Sequence, residues 1–371
     1  MNKLDMDTMT NVILNNEYKL HEEKIEKENV EEIEKNQREK REPKHKKQKK
    51  RKTIKQKVFL VIKIIGALII LGVVFIFLFF KTSLFQKYKE IWVETAMSTM
   101  NHQYLATWFL SDEEIQKILD SLKVENNEDS NLNEIQIKNP EKGKSEEITV
   151  EKITGKNYVG YVMIIPDASK IKLVDSRKQT RGTKLSEIVK NNNAIAGINA
   201  GGFTDEGGVG QGNQLCRATI INKKLLYGYK NTKYSLIGLT NDKKLVLGKY
   251  TYQQALDSRI ESAVEFGPYL VVNGKNQITN QNSGGIHPRT AIGQRKDGTF
   301  IFVVVDGRQP GYSIGTNLLE LQNIFNKYEA YNAANLDGGS SSTMCYDGKV
   351  INKTSTPAGE RYLPNAFIVE K

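Results

Sequence analysis

The chain has 371 residues, a formal net charge of +11 and 39% hydrophobic residues. This length allows one large domain or two ordinary domains with appendages. Twelve Lys or Arg residues and two Glu residues lie between Arg38 and Lys57, a local charge of +10 that leaves about +1 for the rest of the chain. The basic charge is therefore confined to one segment, which argues against a nucleic-acid-binding surface on the remainder.

A continuous apolar stretch follows the basic segment. Residues 58–80 read VFLVIKIIGALIILGVVFIFLFF, contain Lys63 as their one charged residue, and are bounded by Lys57 and Lys81. This length crosses a bilayer as a tilted helix, whereas a cleaved signal peptide has a shorter apolar core. The positive-inside rule then places residues 1–57 in the cytoplasm and everything after Lys81 outside. We predict a single-pass membrane protein whose partners include the lipid bilayer and no nucleic acid.

Composition divides the chain into five segments: a disordered basic cytoplasmic tail (1–57), a transmembrane helix (58–80), an extracytoplasmic helical stalk (81–123), a polar linker (124–146) and a globular domain (147–371). In the stalk, a capping pattern that begins at Ser111 predicts a helix over 112–123. His102, Tyr104 and Trp108 lie between the stalk helices, and we interpret them as packed or half-exposed residues rather than as ligands of a site.

Short β-like runs separated by Asn, Asp and Gly turns dominate residues 147–371. Helical spacing of apolar residues interrupts them at Leu185–Asn191, Tyr252–Val264 and Leu318–Tyr328. The pattern predicts an α+β domain with one mixed, largely antiparallel sheet and two or three helices.

Five short stretches of this domain each end a β-like run in glycine plus a charged or amide residue: Asn199–Phe203, Glu265–Pro268, His287–Gly293, Asp306–Arg308 and Leu336–Met344. In the last, Asp337 supplies a carboxylate, and Gly338 and Gly339 allow the backbone to curl its N–H groups around an anion. Taken alone, this stretch is equally typical of a polar hairpin turn.

In their order and spacing, the five stretches together resemble the motifs of the phosphodiester glycosidase family, over about residues 148–371. Arg361 and Asn365 resemble the closing motif of that family. The chain differs from the family pattern by an inserted Ala200 and by Ser340 in place of a glycine. The resemblance implies hydrolysis of a sugar-1-phosphodiester at the glycosidic carbon, which releases the sugar and leaves a phosphate monoester on its partner.

Glycoside cleavage uses two carboxyl groups, and the motifs supply three, from Glu265, Asp306 and Asp337. Arg289 is the residue predicted to hold the phosphate and to stabilise the charge that builds on it. These four are the predicted catalytic residues. The predicted substrate-binding residues are Asn199, Gly201, Gly202, His287, Arg308, Gly338, Gly339, Ser341 and Asn365. His287 is either a proton donor or substrate contact, or a packed turn residue.

The resemblance implies no cofactor. A single His and the lack of a Cys cluster in the domain argue against zinc, while calcium or magnesium held by oxygen ligands stays open. Cys216 and Cys345 either pair as a disulfide or remain two free thiols.

The predicted function is that of a membrane-anchored extracytoplasmic hydrolase acting on phosphorylated glycans in the envelope or extracellular polysaccharide of a bacterium. The alternative is a non-catalytic surface protein that binds glycans or assists exopolysaccharide assembly through the same pocket.

Overall fold

A computed structural model describes residues 24–27, 30–33, 35, 44–99, 102–126, 128–137, 147–205 and 210–371. Most of the predicted disordered tail and residues 138–146 of the predicted linker lie outside these described residues. The chain divides into two compact units, with the boundary between Leu78 and Phe79.

The first unit contains most of helix α1, which spans Lys44–Lys81. Its part from Thr53 to Lys81 is 29 residues long, reaches a mean hydropathy of 3.0 and has none of its apolar window buried. In the part of the chain that the structure describes, this is the one helix long and apolar enough to cross a membrane. A long helix that is apolar on all sides and exposes its apolar side chains is typical of a membrane span. The predicted span, residues 58–80, lies inside it.

The second unit begins with the three stalk helices: α2 (Gln86–Met97), α3 (Tyr104–Thr107) and α4 (Asp112–Leu122). The capping box predicted for α4 is present, because the Ser111 hydroxyl accepts the Glu114 N–H at 3.2 Å and the Glu114 carboxylate accepts the Ser111 N–H at 2.8 Å. The helices enclose a small apolar core of their own, lined by Phe80, Val93, Ala96, Ala106, Leu110, Ile115, Ile118 and Leu122.

Strands are the main regular structure in the remaining described residues of this unit. In chain order they are β1 (Thr149–Thr154), β2 (Val159–Ile165), β3 (Ile171–Asp175), β4 (Thr183–Lys184), β5 (Ala194–Asn199), β6 (Phe203–Thr204), β7 (Gln214–Leu215), β8 (Thr219–Ile221), β9 (Lys224–Tyr227), β10 (Tyr234–Thr240), β11 (Leu245–Tyr250), β12 (Ile260–Glu265), β13 (Tyr269–Val272), β14 (Lys275–Asn276), β15 (Arg289–Gln294), β16 (Phe300–Val305), β17 (Asn332–Leu336), β18 (Met344–Tyr346), β19 (Lys349–Val350), β20 (Tyr362–Leu363) and β21 (Asn365–Glu370). The helices among them are α5 (Leu185–Asn191), α6 (Tyr252–Asp257) and α7 (Leu318–Lys327).

The strands form three larger sheets, with the orders β1-β2-β16-β15-β17-β13-β14, β11-β10-β12-β8-β9 and β19-β18-β5-β21-β3, and two small two-stranded pairs. The α+β class and the antiparallel pairing are as predicted. The prediction of one mixed sheet is wrong. All three sheets contribute to one apolar core, with Phe302, Ile237 and Phe367 as one example from each. Strands this rich in buried apolar residues bury their faces by packing sheet on sheet.

The predicted helix Tyr252–Val264 is also partly wrong. Helix α6 ends at Asp257, and Arg259 turns the chain with a φ of +59° into strand β12. Pairing with β10 places Ala263 opposite Gly238 and so buries the β-branched end of the segment inside a sheet. Burial by tertiary packing therefore outweighs the helical spacing of the sequence.

Residues 128–137 of the predicted linker lie against the domain. The Ser130 N–H donates to the Leu247 carbonyl at 2.7 Å, the Ser130 hydroxyl accepts the Leu247 N–H at 2.9 Å, and the Ile135 side chain is 1% exposed. Nearby, the Asn126 side chain accepts the N–H of Tyr269 at 2.9 Å. This part of the chain is thus held along β11 and β13.

Candidate active site

The seven-stranded sheet brings three of the predicted residues to one edge. Strand β15 starts at Arg289, which lies opposite Val305 on β16, and Thr290 lies opposite Leu336 on β17. Asp306 and Asp337 directly follow those two partners in the sequence. Since neighbouring strands are less than 5 Å apart, the ends of three motifs meet at this edge.

A cavity of about 1280 Å³ opens beside this edge, between the domain and the stalk. The predicted residues that border it are Gly202, Glu265, His287, Arg289, Arg308, Asp337, Gly338, Gly339 and Ser341. Those that do not are Asn199, Gly201, Asp306 and Asn365. Two of the four predicted catalytic residues are placed differently from Glu265 and Asp337. The side chain of Arg289 borders the cavity but is hydrogen-bonded to backbone carbonyls, and Asp306 lies behind the cavity wall.

Asp337 is one of the carboxylates that line the cavity. Its backbone N–H donates to the Ala200 carbonyl at 3.0 Å, and its own carbonyl accepts the Asn199 side-chain amide at 2.6 Å. Burial raises the pKa of the Asp337 carboxyl to about 6, against the lowering effects of the Ser341 hydroxyl, Arg361, the Gly338 N–H and Arg217. The group is therefore mostly ionised at neutral pH and accepts a proton under mildly acidic conditions.

Three arginines face this carboxylate. Arg217 and Arg361 act on Asp337 electrostatically, and Asp337 in turn acts on Arg308. The guanidinium groups of Arg217 and Arg361 stack on aromatic rings, 5.4 Å from the Phe266 centroid and 5.0 Å from the Phe203 centroid. Stacking of this kind holds a guanidinium in one plane while its edge stays free to donate.

The backbone supports this cluster at two unusual positions. Arg308 has a φ of +59°, in the left-handed region that only a small fraction of non-glycine residues occupy. Gly339 has the same φ of +59°, and a Cβ atom at this position would lie 3.2 Å from Nη2 of Arg308. The glycine therefore leaves the space that the Arg308 side chain uses when it reaches the hydroxyl of Ser340, 3.4 Å away.

Glu265 is the second cavity carboxylate. It ends β12, and one of its oxygens accepts the N–H of Ala218 at 3.2 Å. The other oxygen has no hydrogen bond of its own among the described residues, and the residue borders the cavity. Glu265 and Asp337 are thus the two predicted catalytic carboxylates that the fold presents to the same space.

Arg289 is committed to backbone carbonyls. It donates to Gly284 and Gly285, the latter at 3.0 Å, and to Thr316 at 3.3 Å. Burial lowers the pKa of this guanidinium to about 10, and Glu94 of the stalk raises it. Burial in turn raises the pKa of Glu94 while Arg289 lowers it. Arg289 is therefore placed as a clamp on the loop at the cavity wall, with few donors left for a ligand.

His287 links the domain to the stalk. It is 5% exposed, its Nδ1 lies 3.5 Å from Nη2 of Arg308, and its Nε2 lies 2.7 Å from the Ser98 hydroxyl. Arginine only donates, so Nδ1 is the acceptor and Nε2–H donates to Ser98. Burial, with help from Arg289 and Arg308, lowers the pKa of His287 to about 2. The imidazole is therefore neutral at any ordinary working pH.

Asp306 lies behind the cavity wall and is 1% exposed. Its carboxylate accepts hydrogen bonds from the Asn352 amide at 2.9 Å, the Lys353 N–H at 3.1 Å and the Tyr312 hydroxyl at 3.0 Å. Burial raises the pKa of this carboxyl, and these donors lower it. The geometry makes Asp306 a buried anchor for the loop at residues 352–353.

Three of the predicted substrate-binding residues also support the wall from behind. The side-chain amide oxygen of Asn199, Oδ1, accepts from the Thr290 hydroxyl at 2.7 Å and from the Thr343 N–H at 3.1 Å. The Asn365 side chain accepts the Gly201 N–H at 2.6 Å. These contacts tie β5, β15, β17 and β21 together beneath Asp337.

Several cavity residues had no predicted role: Glu94, Ser98, Asp205, Arg217 and Arg361. Arg361 was matched to the closing motif without a function. It forms an ion pair with Asp205, which also accepts the Gly210 N–H at 2.5 Å. A signal for Arg217 existed in its position directly after Cys216, beside the glycine loop. The stalk residues carry no comparable signal, because only the fold brings them to the cavity.

Neither cysteine is in a disulfide: Cys345 is buried and Cys216 is exposed. Among the described residues, no three His, Cys, Asp or Glu side chains come together as a metal-binding group.

Known proteins are similar to the part of the chain that carries most of this site. A family model described as phosphodiester glycosidase matches residues 192–370. An uncharacterized SPbeta prophage-derived protein of Bacillus subtilis (strain 168) is 29% identical over 193 residues, which are 50% of this chain and 30% of that protein. N-acetylglucosamine-1-phosphodiester alpha-N-acetylglucosaminidase of Bos taurus is 25% identical over 193 residues, 47% of this chain and 35% of that protein. The chain thus spans about a third of the length of these curated relatives.

Among solved structures, the catalytic domain of the zebrafish N-acetylglucosamine-1-phosphodiester alpha-N-acetylglucosaminidase, auto-inhibited by its pro-peptide, is similar with a TM-score of 0.49 and 20% identity. The similarity covers 61% of this chain and 82% of that structure.

Proposed function

We propose that this chain is a membrane-anchored hydrolase. Its residues 192–370 match the phosphodiester glycosidase family, as the motifs predicted. Its reaction is the cleavage of the bond between a sugar's anomeric carbon and the oxygen of a phosphodiester. The observation that carries the proposal is the meeting of Asp337, a carboxylate with a raised pKa, and three arginines in one cavity.

The arginines form the proposed phosphate site. A phosphodiester carries one negative charge, and the phosphate monoester that leaves carries up to two, with a second pKa near 6. Arg217, Arg308 and Arg361 are held by stacking, by a hydroxyl contact and by an ion pair, so their donors are positioned before the substrate arrives. Donors of this kind stabilise the charge that develops on a leaving group and reduce the need for an acid. In this proposal they replace Arg289, whose donors are engaged with the backbone.

The two cavity carboxylates act on the sugar. Asp337 is ionised above pH 6 and serves as the group that attacks the anomeric carbon or activates a water molecule there. Glu265, with one oxygen unoccupied by protein donors, is the second carboxylate of the pair that glycoside cleavage uses. His287 is neutral and buried, so it positions Arg308 rather than carrying a proton to the leaving group.

The location of the enzyme follows from the N-terminal part of the chain. The basic segment that precedes the apolar residues 58–80 favours an orientation with the tail in the cytoplasm and the hydrolase domain outside. The substrate would then be a sugar-1-phosphodiester of the bacterial envelope or of an extracellular polysaccharide.

The test uses the full chain in detergent or nanodiscs and a panel of methyl esters of sugar 1-phosphates, in water enriched in oxygen-18. Cleavage at the glycosidic carbon puts the heavy oxygen on the released sugar and none in the phosphate, whereas cleavage at phosphorus does the reverse. Asp337→Asn is expected to abolish release, and Asp347→Asn, a carboxylate exposed far from the cavity, is the matched control. Tight binding of every ester with no turnover would instead support the glycan-binding alternative.

A further inference from the structure

The stalk carries an exposed group of large apolar and aromatic side chains. Leu84, Tyr88, Trp92, Tyr104 and Trp108 are 69%, 62%, 40%, 42% and 73% exposed. We call these five residues the stalk aromatic face. Most surface aromatics of a soluble protein occur singly, and a contiguous exposed group marks a surface that binds something.

The five side chains are neighbours. Leu84, Tyr88 and Trp92 are spaced by four residues, which places them on one side of α2 and the turn before it. The Trp92 indole N–H donates to the Leu105 carbonyl at 2.9 Å and so brings α3 alongside. On α3 the rings of Tyr104 and Trp108 are 4.9 Å apart. Val93 and Ala96 of α2 pack into the stalk core, whereas these five side chains do not belong to it.

We propose that the stalk aromatic face lies in the interfacial layer of the bilayer that α1 crosses, an inference that rests on the proposed membrane anchor. The face starts at Leu84, three residues after the helix end at Lys81, so the chain holds Leu84 within about 10 Å of that end. Tyr and Trp are the residues enriched at the headgroup level, because their rings are apolar and their polar groups stay hydrated. Exposed Lys87 adds a cation that suits lipid phosphates.

This placement has a consequence for the substrate. His102 borders the cavity and its ring lies 6.2 Å from that of Tyr104. Ser98 and Thr99, between α2 and α3, border the cavity as well. The cavity and the face therefore adjoin within one compact unit, and a membrane-seated face keeps the cavity near the headgroups. Sugar phosphodiesters carried on lipid, or at the membrane-proximal end of a polymer, are the substrates that reach such a cavity.

The chain offers a direct test because its two tryptophans are both in the face. Full-length protein is placed in nanodiscs that contain phospholipids brominated either near the headgroup or near the acyl-chain end, and tryptophan emission is recorded. We expect a blue-shifted emission maximum and loss of most of the emission with the shallow bromines, and a smaller loss with the deep ones. Trp92→Phe leaves the more exposed Trp108 as reporter and should show the larger loss; Trp108→Phe should show the smaller.

The opposing results are distinct. Emission typical of water-exposed tryptophan, without bromine quenching, in protein that co-elutes with the discs overturns the proposal and leaves the anchor intact. Protection from aqueous acrylamide without bromine quenching also overturns it, since a second copy or another protein then covers the face. Failure to co-elute with the discs overturns the anchor together with this proposal, while hydrolysis of the soluble ester panel reports separately on the proposed reaction.

Discussion

Replacing Asp337 by Asn should inactivate the protein. The variant should also become more stable than the wild type by an amount that grows as pH rises. In the folded wild type the carboxyl pKa is about 6, whereas its ordinary value is 3.8. A group with a raised folded-state pKa contributes stability below its unfolded pKa and loses it as pH rises through the folded value. At 1.36 kcal/mol per unit of pKa shift, the difference between the two pKa values corresponds to about 3 kcal/mol in the free energy of unfolding. This figure is an upper limit, because the carboxylate borders an accessible cavity.

The measurement is scanning calorimetry of both proteins in the same detergent from pH 4 to pH 8. For a domain of this size about 3 kcal/mol is worth roughly 6 to 12 °C in Tm. We expect the gap between Asp337→Asn and wild type to widen by up to that amount across the range, with most of the change between pH 4 and pH 6. Wild-type kcat/KM should fall below pH about 6 as Asp337 protonates. A Tm gap independent of pH would refute the assignment of the raised pKa, and Asp347→Asn should show no such gap.

Four further substitutions probe the wall around this carboxylate. Arg308→Gln and Arg361→Gln should each lower kcat/KM by about 10²- to 10³-fold on sugar-1-phosphodiesters, because each removes donors from the leaving phosphate. The Tm should stay near normal in Arg308→Gln and fall in Arg361→Gln, which leaves the buried Asp205 without its ion pair. Equal kinetics for either variant and wild type would remove that residue from the phosphate site. Gly339→Ala should lower the free energy of unfolding by about 1–2 kcal/mol, because alanine is strained at the positive φ of this position. It should also raise KM, because the added Cβ crowds the Arg308 guanidinium. An unchanged KM would show that the guanidinium does not depend on this space. Arg289→Ala should lower the free energy of unfolding by roughly 3 kcal/mol, since three carbonyls lose their donor, whereas lost turnover at an unchanged Tm would restore Arg289 to the phosphate role.

The motif residues that could be predicted from sequence are those that stand at strand ends. Asp337 follows β17 and Glu265 ends β12, so the positions where β-like runs stop located both cavity carboxylates. The end of a β-like run also led to the prediction of Asp306 as a catalytic residue, but the structure buries this carboxylate behind the cavity wall. The end of β16 does bring Asp306 to the right edge, but the loop at Asn352 and Lys353 covers its carboxylate. The sequence around Asp306 contains no pattern that predicts its burial by this distant loop.

The contribution of the stalk had no local signal either. Glu94 and Ser98 belong to an amphipathic helix whose sequence accounts for its own folding, and their meeting with Arg289 and His287 depends on chain segments nearly 200 residues apart. Similarly, the split into three sheets depends on which apolar faces pack together, a choice that strand propensity leaves open. Local spacing sufficed for α4, α5 and α7, whose boundaries differ from those predicted by at most one residue.

Cys216 is an accessible free thiol at the cavity, to which a probe can be attached. It borders the cavity next to Arg217, whereas Cys345 is buried and pairs with nothing. Burial is the largest influence on its thiol and raises the pKa, so modification by maleimides will be slow at neutral pH and faster under mildly alkaline conditions. Because the fold has no disulfide to preserve, the chain can be produced and handled under reducing conditions. A spin label or fluorophore on this one accessible thiol would then report when a ligand fills the space beside it.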